Sequence, residues 1–178
     1  MAGTVAVACT ALAAAPAPAH ALCSVSLLSP CLQLSMPASP LALGTVSAGT
    51  TTVTAQQALT VSSNVAYGVK VSTDLVDGRP KEWTGAAYVV AAPKILANAL
   101  EVARTSYDGT PTTPVWRALN STPYLLGTGL GPTGCLIGLL CGTHDLGVRY
   151  RLRSSFSDRR ASPNSYRIQV TYTADHAF

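Results

Sequence analysis

Apolar and polar residues alternate with a period of two over several stretches of this chain. Leu59-Thr60-Val61-Ser62-Ser63 stops at Asn64, and Tyr67-Gly68-Val69-Lys70-Val71-Ser72 resumes with Tyr67, Val69 and Val71 on one face. Leu146 to Leu152 sets Leu146, Val148, Tyr150 and Leu152 against Arg149, Arg151 and, one step further, Arg153. Tyr166 to Thr173 carries the same alternation to the end of the chain. Side chains of an extended backbone point alternately to opposite faces, so this pattern predicts half-buried antiparallel strands. Strands that open and close a domain in this way predict an all-β fold, an immunoglobulin-like antiparallel β-sandwich.

Between these anchors the pattern is less regular. Leu22 to Pro40 holds Pro30, Pro37 and Pro40 between short apolar runs and reads as an irregular or edge segment. Leu41 to Val46 is the first core strand, turned at Ala48-Gly49, and the polar, β-branched Thr50 to Thr54 suits an exposed edge. Val61 and Val69 mark a hairpin around Ser62 to Ala66, and Asp77-Gly78 marks a turn. Trp83-Thr84-Gly85 and Ala86 to Ala92 read as one strand stopped by Pro93. Lys94 to Arg104 fits a short helix by its spacing, or a strand with Leu100 and Val102 in register; strand is preferred for Leu100 to Arg104. Val115 to Leu119 is a further strand candidate. Leu125 to Cys141, rich in glycine and leucine, reads as an apolar loop and a candidate self-association patch.

A chain of 178 residues fits one domain with short extras. Met1 to Ala15 is almost wholly small and apolar, and Ala19 and Ala21 satisfy the Ala-x-Ala rule for a leader cut after Ala21. No Lys or Arg precedes the apolar run, which points to a basic leader start upstream of Met1. The organisation expected is therefore a signal peptide over 1–21, a proline-broken segment over 22–40 and a sandwich domain over 41–178. Export makes the cysteines informative, because Cys23, Cys31, Cys135 and Cys141 form an even set for an oxidising compartment. Local pairing, Cys23 with Cys31 and Cys135 with Cys141, is preferred, and pairing across the chain competes with it. Neither spacing suits a tetrahedral zinc site, and no metal or cofactor site is expected.

Charged residues make up 11% of the chain, the net charge is +4, and the first charged side chain is Lys70. Arg149, Arg151, Arg153, Arg159, Arg160 and Arg167 crowd the end, a weak preference for anionic partners. The lack of a recognised motif, and of aromatics interleaved with arginines, argues against nucleic acid. Arg149, Arg151 and Arg153 form a one-face ladder with steps of roughly 6–7 Å. It is either a solvated outer face that discourages edge pairing or a dock for phosphate or carboxylate groups. His144-Asp145 invites a hydrolase reading, but neighbours on a strand point apart, no Gly-x-Ser-x-Gly is present, and His176 falls in a frayed tail. The glycine run lacks the Lys-Ser/Thr ending of a phosphate loop. Asp74 and Asp77 near Gly78 fall short of a calcium loop and suit an Asx-supported turn. Asn120-Ser121-Thr122 matches the glycosylation sequon.

Leu43-Gly44-Thr45-Val46, Leu59-Thr60-Val61 with Tyr67 to Val71, and Tyr166 to Thr173 together resemble secreted bacterial surface β-sandwich domains. The family they resemble, at a distance, is the WxL cell-surface domain. The resemblance spans most of Leu41 to Thr173. It departs at the family's Trp-x-Leu signature: Trp116 is followed by Arg117-Ala118-Leu119, and Tyr172 stands where the last Trp would be. The resemblance implies non-covalent wall binding, and no functional residues carry over. The expectation is a secreted, non-catalytic bacterial surface protein with no membrane span in its mature chain, adhering to an anionic wall polymer or polysaccharide. The competing expectations are a fibre subunit that donates Leu22 to Pro40 by strand addition, and a hydrolase using His144.

Overall fold

The computed structural model describes residues 4–11, 32–37, 41–129 and 142–176, the first stretch by its backbone alone. Its strands are β1 (Thr4–Ala11), β2 (Leu32–Ser35), β3 (Leu41–Ser47), β4 (Thr51–Val53), β5 (Gln57–Ser63), β6 (Tyr67–Thr73) and β7 (Lys81–Trp83), followed by β8 (Glu101–Tyr107), β9 (Thr110–Pro111), β10 (Arg117–Ala118), β11 (Tyr124–Gly129), β12 (Gly142–Arg153) and β13 (Ser165–His176). They form two sheets. One runs β11-β6-β13-β1-β3, with β7 also on β13; the other runs β10-β8-β12-β5-β2, with β4 on β12 and β9 on β8. Among the described residues every pairing is antiparallel except that of β1 with β13, which is parallel. The all-β expectation is met.

The alternation does what period-two patterning predicts. Leu59, Val61, Leu146, Val148, Tyr150, Leu152 and Val102 of the second sheet are buried in one cluster with Tyr67, Val69, Val71, Tyr166, Ile168 and Val170 of the first. Each such side chain contributes about 1.5–3 kcal/mol by leaving water, so this shared interior is the main force holding the sheets together. Arg149 and Lys70 lie on the opposite, exposed faces of their strands.

Several elements differ from the sequence expectation. The alternating runs of β5 and β6 are not a hairpin: β5 pairs with β12 and β2, whereas β6 pairs with β13 and β11. Both strands already have a partner on each side, so the chain crosses between sheets at Ser63 to Tyr67. Ser63 Oγ holds that corner, donating to Val65 O at 2.7 Å and accepting from Val65 N at 3.1 Å. Ala86 to Ala92 is an exposed loop, apart from a single bridge between Tyr88 and Trp83. Its alanines have little surface to bury, and Thr84 Oγ1 captures the Ala87 amide at 3.1 Å, a local bond that competes with a ladder.

Lys94 to Leu100 is neither helix nor strand, because its amides go elsewhere: Leu96 N donates to Pro80 O at 3.0 Å and Leu100 N to Gly78 O at 2.8 Å. From Glu101 the preferred strand is present as β8. Only Arg117 and Ala118 of Val115 to Leu119 pair. The glycine-rich stretch starts as β11 and not as a loop, and residues 130–141 lie outside the described chain. His176 is paired opposite Tyr67 and is no frayed tail. Leu32 to Ser35, inside the proline-broken segment, forms an edge strand on β5.

Candidate anion-binding cleft

β12 places Arg149, Arg151 and Arg153 on one face, as the alternation predicts, yet they do not form an open ladder. Arg151 stands directly across from Glu101 of β8. Its Nε donates to Glu101 Oε2 at 2.6 Å and its Nη2 to Oε1 at 3.1 Å, a two-pronged pair. The Arg151 guanidinium also lies 4.4 Å over the Trp116 ring. Arg153 Nε reaches the same Glu101 Oε2 at 3.3 Å. One carboxylate thus engages two of the three cations. Arg149, opposite Ala103, is exposed.

A second arginine pair lies at the mouth between the two sheets. In β8, Val102 faces Tyr150 and Arg104 faces Val148, so Arg104 occupies the core-facing row of its strand. It is tolerated there because β8 lies near the sheet edge and because the facing strand β11 offers Gly127. A Cβ at Gly127 would come within 2.7 Å of Arg104 Nη1, so the glycine leaves the room the guanidinium fills. The β8–β9 turn folds the chain back alongside: Thr112 N donates to Thr105 O at 2.9 Å and Thr112 Oγ1 to Arg104 O at 3.4 Å. Arg117 of β10 is exposed, and its guanidinium stands 6.0 Å from the centre of the Tyr124 ring.

Arg104, Thr112, Thr113, Arg117 and Tyr124 line a cleft of about 250 Å³. A second hollow of about 430 Å³, bordered by Trp116, Asn120 and Thr122, shares Arg117 and Tyr124 with it. Among the described residues, neither Arg104 nor Arg117 has a carboxylate within ion-pair distance. Two guanidinium groups that meet no carboxylate among the described residues, beside hydroxyls and an aromatic ring, can receive a carboxylate or phosphate.

The His144 partner is Asp108, from the β8–β9 turn, and not its sequence neighbour Asp145. His144 Nδ1 lies 2.7 Å from Asp108 Oδ2, and Asp145 N donates to Asp108 Oδ1 at 2.7 Å. Burial pushes the Asp108 carboxyl up, but the bonds from His144 and the Asp145 amide outweigh it and hold it below the usual carboxylate range. Asp145 turns the other way and accepts from Thr60 Oγ1 at 2.7 Å. The imidazole stacks on Tyr107 at 5.4 Å and tilts against Tyr67 at 6.0 Å. His144 Nε2, the nitrogen a general base would present, is buried without a hydrogen-bond partner among the described residues.

Of the remaining candidates Asp77 and Asn120 support turns, whereas Asp74, expected in an Asx-supported turn, ties distant parts of the chain together. Asp77 Oδ1 accepts from Arg79 N at 3.1 Å, and Asp74 receives Tyr88 Oη at 2.7 Å and Gln169 N at 2.9 Å. Asn120 is exposed, with Oδ1 on Thr122 N at 2.8 Å. Cys23, Cys31, Cys135 and Cys141 lie outside the described residues. Arg104, Arg117 and Tyr124 were not marked by the sequence motifs, although Arg104 shares the two-residue period of Leu100 and Val102. No family model matches the chain, and a search of curated proteins finds no similar sequence.

Proposed function

We propose that this chain is a secreted, non-catalytic bacterial surface protein that holds an anionic polysaccharide or wall polymer in the cleft between β8, β10 and β11. The observation that carries the reading is the pair Arg104 and Arg117, which meet no acid among the described residues and flank a ring and several hydroxyls. Two hollows sharing Arg117 and Tyr124 suit successive units of a polymer better than one compact ligand. The outer row of Arg149, Arg151 and Arg153 is the weaker dock, since Glu101 already occupies Arg151 and Arg153. An immunoglobulin-like arrangement, similar to the WxL cell-surface domain, is part of the same proposal. It is supported by Tyr166, near the start of β13, whose Oη donates to Arg159 O at 2.5 Å, the kind of tie that a tyrosine corner makes to upstream backbone.

The test is retention on an immobilised uronate polysaccharide, with a neutral glucan as control, across a salt series. Arg104→Gln and Arg117→Gln each weaken binding by at least about tenfold, the worth of one charge-assisted contact of about 1.5–3 kcal/mol. The Arg149→Gln variant stays within about twofold of the parent. A double Arg104→Gln/Arg117→Gln variant that binds like the parent at low salt removes the proposal. Arg104 also occupies an inward-pointing position near a sheet edge, where a charge discourages edge-to-edge aggregation. That role alone makes Arg104→Gln less soluble with polymer binding unchanged, so the same series separates the two.

A further inference from the structure

β1 lies within the stretch that reads as an exported leader, yet it holds the first sheet together. It is the strand between β13 and β3, with Val7, Cys9 and Ala11 opposite Tyr166, Ile168 and Val170, and Val5 opposite Val46. Those three β13 residues are buried, as are Leu43 and Val46 of β3. Neighbouring strands lie about 4.8 Å apart, so removal of β1 leaves a slot about 10 Å wide between two apolar rows. The backbone of β13 then has unmet bonds on that side. Gln169 N and O bond Asp74 on the β6 and β7 side, so the N–H groups of Ile168 and Val170 point into the slot. A chain that lacks β1 has to refill this slot or expose its core.

We propose that residues 23–27 of the same chain take the place of β1 once residues 1–21 are gone; the inference rests on the export reading. Cys23-Ser24-Val25-Ser26-Leu27 repeats the alternation of Val5-Ala6-Val7-Ala8-Cys9, with an apolar residue at every second position. The direction also agrees. β1 runs parallel to β13, and a chain leaving the slot in that sense heads for the far end of β13, where β2 starts. Leu32 borders one hollow with Ala174, Asp175 and His176. From Val170 to Ala174 is about 13 Å along the strand and the crossing to the sheet of β2 adds about 10 Å at right angles, about 16 Å in all, which residues 28–31 with the step into Leu32 span when fully extended, at about 16–18 Å. Leu32, Leu34 and Met36 also border an apolar groove of about 370 Å³ along residues 169–174 of β13, on the path these residues follow. In the refilled sheet Cys23, Val25 and Leu27 stand opposite Tyr166, Ile168 and Val170, a register that parts Cys23 from Cys31 by far more than the roughly 7 Å a disulfide spans and so replaces the preferred local pairing with pairing across the chain. The use of Leu32 to Ser35 on β5 leaves only the residues before Leu32 for this role, and their tether favours their own slot over a neighbour's.

The test uses the chain that begins at Leu22, followed by hydrogen exchange and by isotope-filtered NMR on a mixture of labelled and unlabelled chains. The expected result is slow exchange at Ile168 and Val170, independent of concentration, with contacts between Val25 and Ile168 inside one chain. Val25→Pro removes a ladder donor and speeds exchange at those two amides by at least about a hundredfold. A peptide of residues 22–29, added in excess, restores the protection. Contacts between residues 25 and 168 that arise only between chains overturn the proposal in favour of strand exchange between copies. Fast exchange at both amides in the parent chain overturns it outright. Because this chain is made directly, those outcomes do not depend on where the cell cuts; sequencing the amino terminus of the exported protein tests the export reading separately.

Discussion

Glu101 is the residue whose loss reports most directly on how this protein uses its arginines. Glu101→Gln keeps the shape and one acceptor but removes the charge that faces Arg151 at 2.6 Å and Arg153 at 3.3 Å. Exposed ion pairs are worth about 0.2–1 kcal/mol, whereas breaking a buried pair costs about 3–5 kcal/mol. The side chains of Arg151 and Glu101 are 17% and 19% exposed, between those limits. Arg151 also stays pinned over Trp116 and cannot rehydrate freely. The expected loss is about 2 kcal/mol, or a fall in Tm of about 4–8 °C for a domain of this size. A melt followed by circular dichroism measures it, and the double variant Glu101→Gln/Arg151→Gln is expected to recover at least about 1 kcal/mol relative to the sum of the singles. A Tm change under about 1 °C, or simple additivity, would refute the pairing argument. The same variant discriminates between docks: it leaves binding to a uronate polysaccharide within about twofold if the β8–β11 cleft is the site. Freed Arg151 and Arg153 strengthen it well beyond that if the outer ladder is.

Two further outcomes follow from local geometry. Gly78 sits at φ 64°, and a Cβ there would meet Leu119 O at 1.8 Å, so Gly78→Ala is expected to cost at least about 3 kcal/mol. Gly85→Ala, at φ 101° with no neighbour in reach, loses less, and chemical denaturation showing equal losses contradicts the close-approach argument. The folded-state pKa of Asp108 is depressed, so its contribution to stability is complete above the unfolded carboxyl pKa of about 3.9 and fades as pH falls through the lower folded value. The Tm difference between parent and Asp108→Asn is therefore expected to hold between pH 4 and 5 and shrink at more acid pH; a constant difference down to about pH 2.5 argues that the carboxylate bonds to His144 and Asp145 are not what Asp108 contributes.

The chain's own pattern was enough to locate the regularly alternating strands and the side of each that is buried. Leu146, Val148, Tyr150 and Leu152, and likewise Tyr166, Ile168 and Val170, were set inward by a period of two that needs no knowledge of partners. The same rule already placed Arg104 in line with Leu100 and Val102, so an arginine on an apolar face was legible. That it marks a cleft was not legible, because Gly127, Thr112 and Arg117 join it from other strands. Tertiary structure alone decided pairing. β5 and β6 look like a hairpin in sequence, but each satisfies its backbone in a different sheet. Arg151 and Arg153 look free until β8 brings Glu101 across from them, and His144 finds its acid in a turn 36 residues away. Period-two alternation is a property of one strand with respect to a plane, whereas hydrogen-bond partners and charge neutralisation belong to edges that meet only after distant strands have packed.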